Sequence, residues 1–240
     1  MKYFLICIIA LFTLIPSPVK SAEGDYIVLL HGIARTSDSM SGLEKYFSEK
    51  GYKVHNIDYP SREKTIEELA EFIDSEIRKF NNDKQKKLNF VTHSMGGIVA
   101  RTYIANHRPE NLGKVVMLGP PNGGSEVADF LRFNSAYKKI YGPAGKELVT
   151  GNSGIADDLP PVDFELGIIA GDLSIDPVSS AIIPGPDDGK VAIEKTKIEG
   201  MEDHIVMHVS HAFIMNDSDV MEQTWYFIIH GQFKKESGKD

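Results

Sequence analysis

The 240-residue chain is 42% hydrophobic and 25% charged, enough apolar material for one domain with a buried core, and this excludes wholesale disorder. Its formal charge of -8 argues against a nucleic-acid partner, which needs clustered Lys and Arg. The run Lys84-Gln85-Lys86-Lys87 is the one basic cluster and reads as a solvated loop ahead of a strand. At the start, Lys2 precedes an apolar run from Tyr3 to Ile15, then Pro16, Ser17, Pro18, Val19 and Ser21. This reads as a signal peptide over residues 1–21 cleaved before Ala22, giving a secreted or periplasmic protein; an uncleaved membrane anchor is the alternative. Cys7, the single cysteine, lies in that run, so the processed chain offers no thiol for catalysis, zinc or disulfides.

Beyond it, residues 22–240 alternate strand-like and helix-like segments. Tyr26 to Leu30 is a β-branched strand ending at His31-Gly32, Ser39 to Lys50 a helix closed by Gly51, and Tyr52 to Ile57 a second strand. Thr65 with Glu68 resembles a capping box before a helix carrying Ile66, Leu69, Ala70, Ile73 and Ile77 on one face. Lys87 to Thr92 is a strand, Met95 to His107 a helix stopped by Arg108-Pro109, and Leu112 to Leu118 a strand. Residues 123–161 break the alternation; they are Gly- and Pro-containing and read as a cap, a lid or a plain surface excursion. Glu165 to Ala170 and Ile205 to Val209 are further strands. Val220 to Ile229 is a last helix that packs the single Trp225 on the sheet, or else offers it as a substrate wall. The alternation predicts an α/β fold with a mostly parallel sheet and helices on both faces.

The chemistry-bearing segment is Asn89-Phe90-Val91-Thr92-His93-Ser94-Met95-Gly96-Gly97-Ile98. A strand runs into Ser94 and a helix leaves from Met95, so the hydroxyl projects above the sheet from a strained turn. The helix N-terminus adds positive potential there, and Gly96 and Gly97 let helix and strand approach.

These residues resemble the α/β-hydrolase superfamily, and within it compact bacterial lipases and esterases, over almost the whole chain from Tyr26 onward. The resemblance departs at Thr92, where the usual Gly-x-Ser-x-Gly motif has glycine. It implies a serine hydrolase of lipid or other carboxylic esters working through an acyl-enzyme, with no cofactor or metal and possible contact with a lipid interface. An acyltransferase or thioesterase using the same residues is the alternative, as is a non-catalytic binding protein of this fold. By resemblance, Val28-Leu29-Leu30-His31-Gly32-Ile33 marks the loop giving half the oxyanion hole, with the Ile33 and Met95 N–H groups as donors and His31 structural. Val115 to Ser125 resembles the strand and turn after the elbow helix.

A general base must be a histidine near Ser94 in space, and the family's chain order of serine, acid and histidine implies a downstream one, where the sequence offers His204, His208, His211 and His230. His204 and His208 are expected to share one sheet face. The segment Val209-Ser210-His211-Ala212-Phe213 resembles the family's histidine loop, which favours His211 over His208. The His204, His208 and His211 spacing would suit a metal only on a helix, which this β-branched run opposes. For the acid, Pro186-Asp187-Asp188-Gly189-Lys190-Val191 resembles the family's Asp-Gly-x-Val pattern, pointing to Asp188, with Asp187 as a turn former. Asp172, directly after Ile168-Ile169-Ala170-Gly171, competes for that role.

Overall fold

The computed structural model describes residues 24–151 and 154–235, so the 1–21 segment read as a signal peptide lies outside the described residues. The strands are β1 (Tyr26–Leu30), β2 (Lys53–Ile57), β3 (Leu88–His93), β4 (Leu112–Leu118), β5 (Leu166–Gly171) and β6 (Asp203–Met207). They form one parallel sheet in the order β2-β1-β3-β4-β5-β6, as the alternation predicts. The long helices are α1 (Ser41–Glu49), α2 (Ile66–Phe80), α3 (Met95–His107), α5 (Ser135–Glu147) and α9 (Ser218–His230). Shorter ones are α4 (Glu126–Leu131), α6 (Ile155–Asp158), α7 (Pro177–Ser180) and α8 (Ile193–Thr196).

The two-residue period of a strand sorts β1 between two cores. Tyr26, Val28 and Leu30 pack with Phe90 of β3 under α2 and α3, while Ile27 and Leu29 join Val91 and Val116 under α1 and α9. Burying each such side chain stabilises the fold by roughly 1.5–3 kcal/mol. Thr65 caps α2 as expected: its hydroxyl accepts the Glu68 N–H at 3.2 Å and the Glu68 carboxylate accepts the Thr65 N–H at 2.9 Å. Trp225 packs half-buried against the α1/α9 core, with Lys50 Nζ 3.9 Å from its ring, so it is no wall of the cleft described below.

The limits of β2, β3, β5 and α9 shift by one or two residues from expectation, and two further segments also differ. The helix expected from Ser39 begins as a 3-10 turn over Ser37–Met40 and becomes α-helical only at Ser41. The last strand lies two residues earlier than Ile205 to Val209, because β5 pairs with it only from Gly167↔Asp203 to Gly171↔Met207. Beyond that the chain turns over Gly171, where a Cβ would meet the Val209 carbonyl at 2.3 Å. His208 is therefore outside the strand and does not share a sheet face with His204.

Chain direction across the sheet reverses between β1 and β3, with Leu30 level with Thr92. The loops leaving their C-terminal ends diverge there and open a crevice. That crevice holds the site.

Candidate active site

Ser94 stands between the last residue of β3 and the first of α3 with φ 54° and ψ -126°. A non-glycine residue in that region is strained by roughly 1–3 kcal/mol, and the surrounding packing has to hold it there. The packing is visible at Gly96. A Cβ on Gly96 would come within 2.5 Å of the Leu30 carbonyl and 2.8 Å of that of His31. The close approach of helix and strand is thus seen at Gly96, and Thr92 sits fully buried in β3. Thr92 nevertheless leaves its hydroxyl with no hydrogen-bond partner.

The loop after β6 brings His211 over this elbow. The Ser94 hydroxyl lies 3.0 Å from His211 Nε2, and His211 Nδ1 lies 2.7 Å from Asp188 Oδ2. With Nδ1–H donating to the carboxylate, Nε2 carries the lone pair and accepts from the serine. Asp188 is itself fixed: its Oδ1 accepts the N–H groups of Lys190 at 3.0 Å and Val191 at 2.9 Å, and its carbonyl accepts the His211 N–H at 2.9 Å. Asp187 forms the turn beside it, accepting from Gly189 N–H and the Ser180 hydroxyl, both at 2.7 Å. Gly119, with φ 57°, lets the chain pass under the pair, since a Cβ there would lie 3.0 Å from Asp188 Oδ2.

The competing acid and base are together, but elsewhere. Asp172 Oδ1 lies 2.8 Å from His208 Nδ1, and that His208 side chain is 77% exposed. Neither touches Ser94. His204 goes a third way, its Nε2 2.9 Å from the Thr196 hydroxyl. Among the described residues no three His, Cys, Asp or Glu side chains are grouped to hold a metal ion.

Opposite the serine, a Cβ on Gly32 would lie 2.8 Å from His93 Nδ1 and 3.1 Å from Ser94 Cβ, so the backbone at Gly32 is packed against the elbow. His31 orients the Gly32–Ile33 peptide. Its buried ring stacks on Tyr59 at 4.1 Å, its Nε2 faces the Tyr59 N–H at 3.4 Å, and its Nδ1–H donates to the Gly32 carbonyl at 2.8 Å. The Ile33 N–H belongs to the same trans peptide and so points the opposite way from that carbonyl. Met95 occupies the first position of α3, where an amide has no partner inside its own helix. Burial, outweighing nearby Asp58, pushes the His31 imidazole below its usual range and keeps it neutral, unsuited to a charged role.

A family profile for the alpha/beta hydrolase fold matches residues 25–140. The mature Bacillus licheniformis lipase BlEst2 superposes with a TM-score of 0.75 at 19% identity, covering 89% of this chain and 94% of that one. The chain has the α/β-hydrolase fold. Its similarity is to lipases and esterases. Triacylglycerol lipase 2 of Saccharomyces cerevisiae is 32% identical over 97 residues, covering 38% of this chain and 29% of that protein. A triacylglycerol lipase of Burkholderia plantarii is 27% identical over 138 residues, covering 50% of this chain and 37% of its own length. The chain thus spans about a third of the length of these curated relatives.

In this hydrolase-fold chain the elbow opens into a cleft of about 600 Å³. One wall comes from the 123–161 segment, where Val127, Ala128 and Leu131 of α4 and Tyr137 and Tyr141 of α5 face inward. Helix α5 is broken at Gly142 (φ 62°) and Pro143. A Cβ at Gly142 would overlap the Arg62 carbonyl, and Arg62 donates to the Ile140 carbonyl at 2.7 Å.

Three residues of the site have no signal in the sequence. Ala34 lines the cleft with φ 56°, the one non-glycine residue besides Ser94 with positive φ among the described residues. Arg35 lines it as well. His93 is wholly buried beneath, its Nε2–H donating to the His211 carbonyl at 3.0 Å and its ring 4.8 Å from that of His211. Burial holds His93 well below the usual imidazole range, so it is a neutral prop for the histidine loop. As the last residue of β3, directly before Ser94, His93 carries no motif that would have marked it.

Proposed function

We propose that this protein is a serine hydrolase of carboxylic esters, with acyl groups of lipid type as the favoured substrates. The observation that carries this is the Ser94–His211–Asp188 hydrogen-bond chain at the strained elbow, facing a cleft whose cap-side wall is apolar. Similarity to lipases and esterases supports the same reading. Ser94 attacks the ester carbonyl as His211 takes its proton; Asp188 holds the Nδ1–H tautomer and stabilises the imidazolium. The Ile33 and Met95 N–H groups receive the oxyanion. His211 then protonates the departing alcohol, and water activated by the same imidazole releases the acid.

In this reading the 123–161 segment is a cap over the acyl group, and residues 1–21 are an export signal leaving a mature chain that begins at Ala22. Ser94→Ala tests the core of it. Wild-type protein should hydrolyse a chromogenic short-chain ester and be labelled by a fluorophosphonate, and the variant should do neither. Turnover or labelling retained in the variant overturns the assignment. Transfer of the acyl group to added alcohol faster than to water would instead mark an acyltransferase. N-terminal sequencing of the exported protein reads the cleavage point.

A further inference from the structure

We propose that Arg35 is an anion-binding residue on the alcohol side of the substrate, so that the preferred esters carry a phosphate or carboxylate on their leaving group; this rests on the ester-hydrolase reading above. The cleft is two-ended. Ile33 reaches toward the cap, with its Cδ1 against Gly145 of α5, among the apolar side chains of that wall. Two residues on, the Arg35 guanidinium turns the other way and donates to the Ala212 carbonyl at 3.1 Å, next to His211. The leaving alcohol takes its proton from the histidine, so it departs at this end. Arg35 is therefore set beside the alcohol and Ile33 beside the acyl chain.

Charge sets the ligand class. The charged residues lining the cleft, apart from histidines, are Arg35, Lys190 and Asp176, and the last two neutralise one another across 2.6 Å. Arg35 is half-buried, and among the described residues no carboxylate lies within ion-pairing reach of it. Burial alone lowers its guanidinium from the usual arginine range, with no compensating anion. A half-desolvated cation with most of its N–H fork uncommitted is a ready partner for a phosphate or carboxylate. Formal charge over the whole chain is -8, which repels anions at long range, so anion preference has to come from this local group.

The test compares butyryl esters of glycerol, glycerol 3-phosphate and glyceric acid with wild type, Arg35→Gln and Arg35→Lys. Wild type should favour the anionic esters over the neutral one in kcat/KM. Arg35→Gln should lower that anionic-to-neutral ratio roughly tenfold to a hundredfold, the size expected for a charge-assisted hydrogen-bond pair. Arg35→Lys should keep part of it. Whichever anionic ester loses more identifies phosphate or carboxylate as the natural group. An equal fall on all three esters would show that Arg35 only braces the histidine loop, and overturns the proposal; so does a wild type without anion preference. A binding arm separates this from the hydrolase reading. By calorimetry, Ser94→Ala should bind butyryl glycerol phosphate, and the Ser94→Ala/Arg35→Gln double variant should not; equal binding by both overturns the proposal whether or not turnover is found.

Discussion

Replacing Asp188 with Asn is the sharpest test of how the site is wired. The carboxylate has two distinct ends: Oδ1 accepts two backbone N–H groups, and Oδ2 faces His211 Nδ1 at 2.7 Å. An asparagine has one acceptor oxygen and one donor NH2. Turning the NH2 toward Lys190 and Val191 would set it against two donors, so its oxygen must stay at the Oδ1 position. The NH2 then faces Nδ1 and forces the imidazole proton onto Nε2, the atom that has to accept from Ser94. The base is lost while the geometry survives. A tautomer fault of this kind costs roughly 10⁴ in kcat, or about 5–6 kcal/mol of barrier. Steady-state hydrolysis of a chromogenic ester should show that fall in Asp188→Asn, with KM within a few-fold and the fold intact by circular dichroism. Asp172→Asn, at the exposed decoy pair, should keep wild-type turnover. A fall of less than tenfold in Asp188→Asn, or a matching fall in Asp172→Asn, would refute the reasoning.

Two further outcomes concern stability. Thr92→Val removes a fully buried hydroxyl that has no partner and preserves its shape, so the domain should gain about 1 kcal/mol and roughly 2–4 °C in Tm without losing activity; a drop in Tm contradicts it. His31 and His93 are held neutral by burial, below the ordinary value of 6.5, so the unfolded chain binds protons that the native state refuses as pH falls through that value. Above about pH 7 both states are neutral and nothing changes; between pH 7 and 5 stability should fall by up to roughly 1.4 kcal/mol per pH unit for each histidine. Thermal melts at pH 7.5 and 5.5 read this, and a Tm that is flat or higher at pH 5.5 would contradict it.

Much of this architecture is legible in the sequence, for local reasons. Met95–His107 and Leu112–Leu118 have the limits expected because Ser94, Arg108-Pro109 and Gly119 punctuate them sharply. Thr65 and Glu68 announce their own helix start. The edge strand β6 was harder, since Val209 is as β-branched as Ile205 and only pairing with β5 ends the strand at Met207. Spacing could not separate His211 from His208, which lie three residues apart after the same strand, nor favour Asp188 over Asp172, which directly follows β5; in the fold Asp188 returns from a distant loop to His211, while Asp172 meets His208. His93 and Arg35 act through one backbone carbonyl each, Ala34 through its own dihedral. Such contacts leave no pattern in residue types.

The crevice has one lip that tolerates redesign and one that does not. Ala34 and Ser94 share nearly the same left-handed φ, 56° and 54°. At position 34 the side chain is a methyl group on an exposed turn, and glycine there would release roughly 1–2 kcal/mol of steric cost against roughly 0.5–1 kcal/mol of added chain entropy. At position 94 the same relief means giving up the hydroxyl. Under the proposed mechanism, selection for heat resistance can therefore work on the first turn, while the same relief at the second would leave a protein that folds well without its nucleophile.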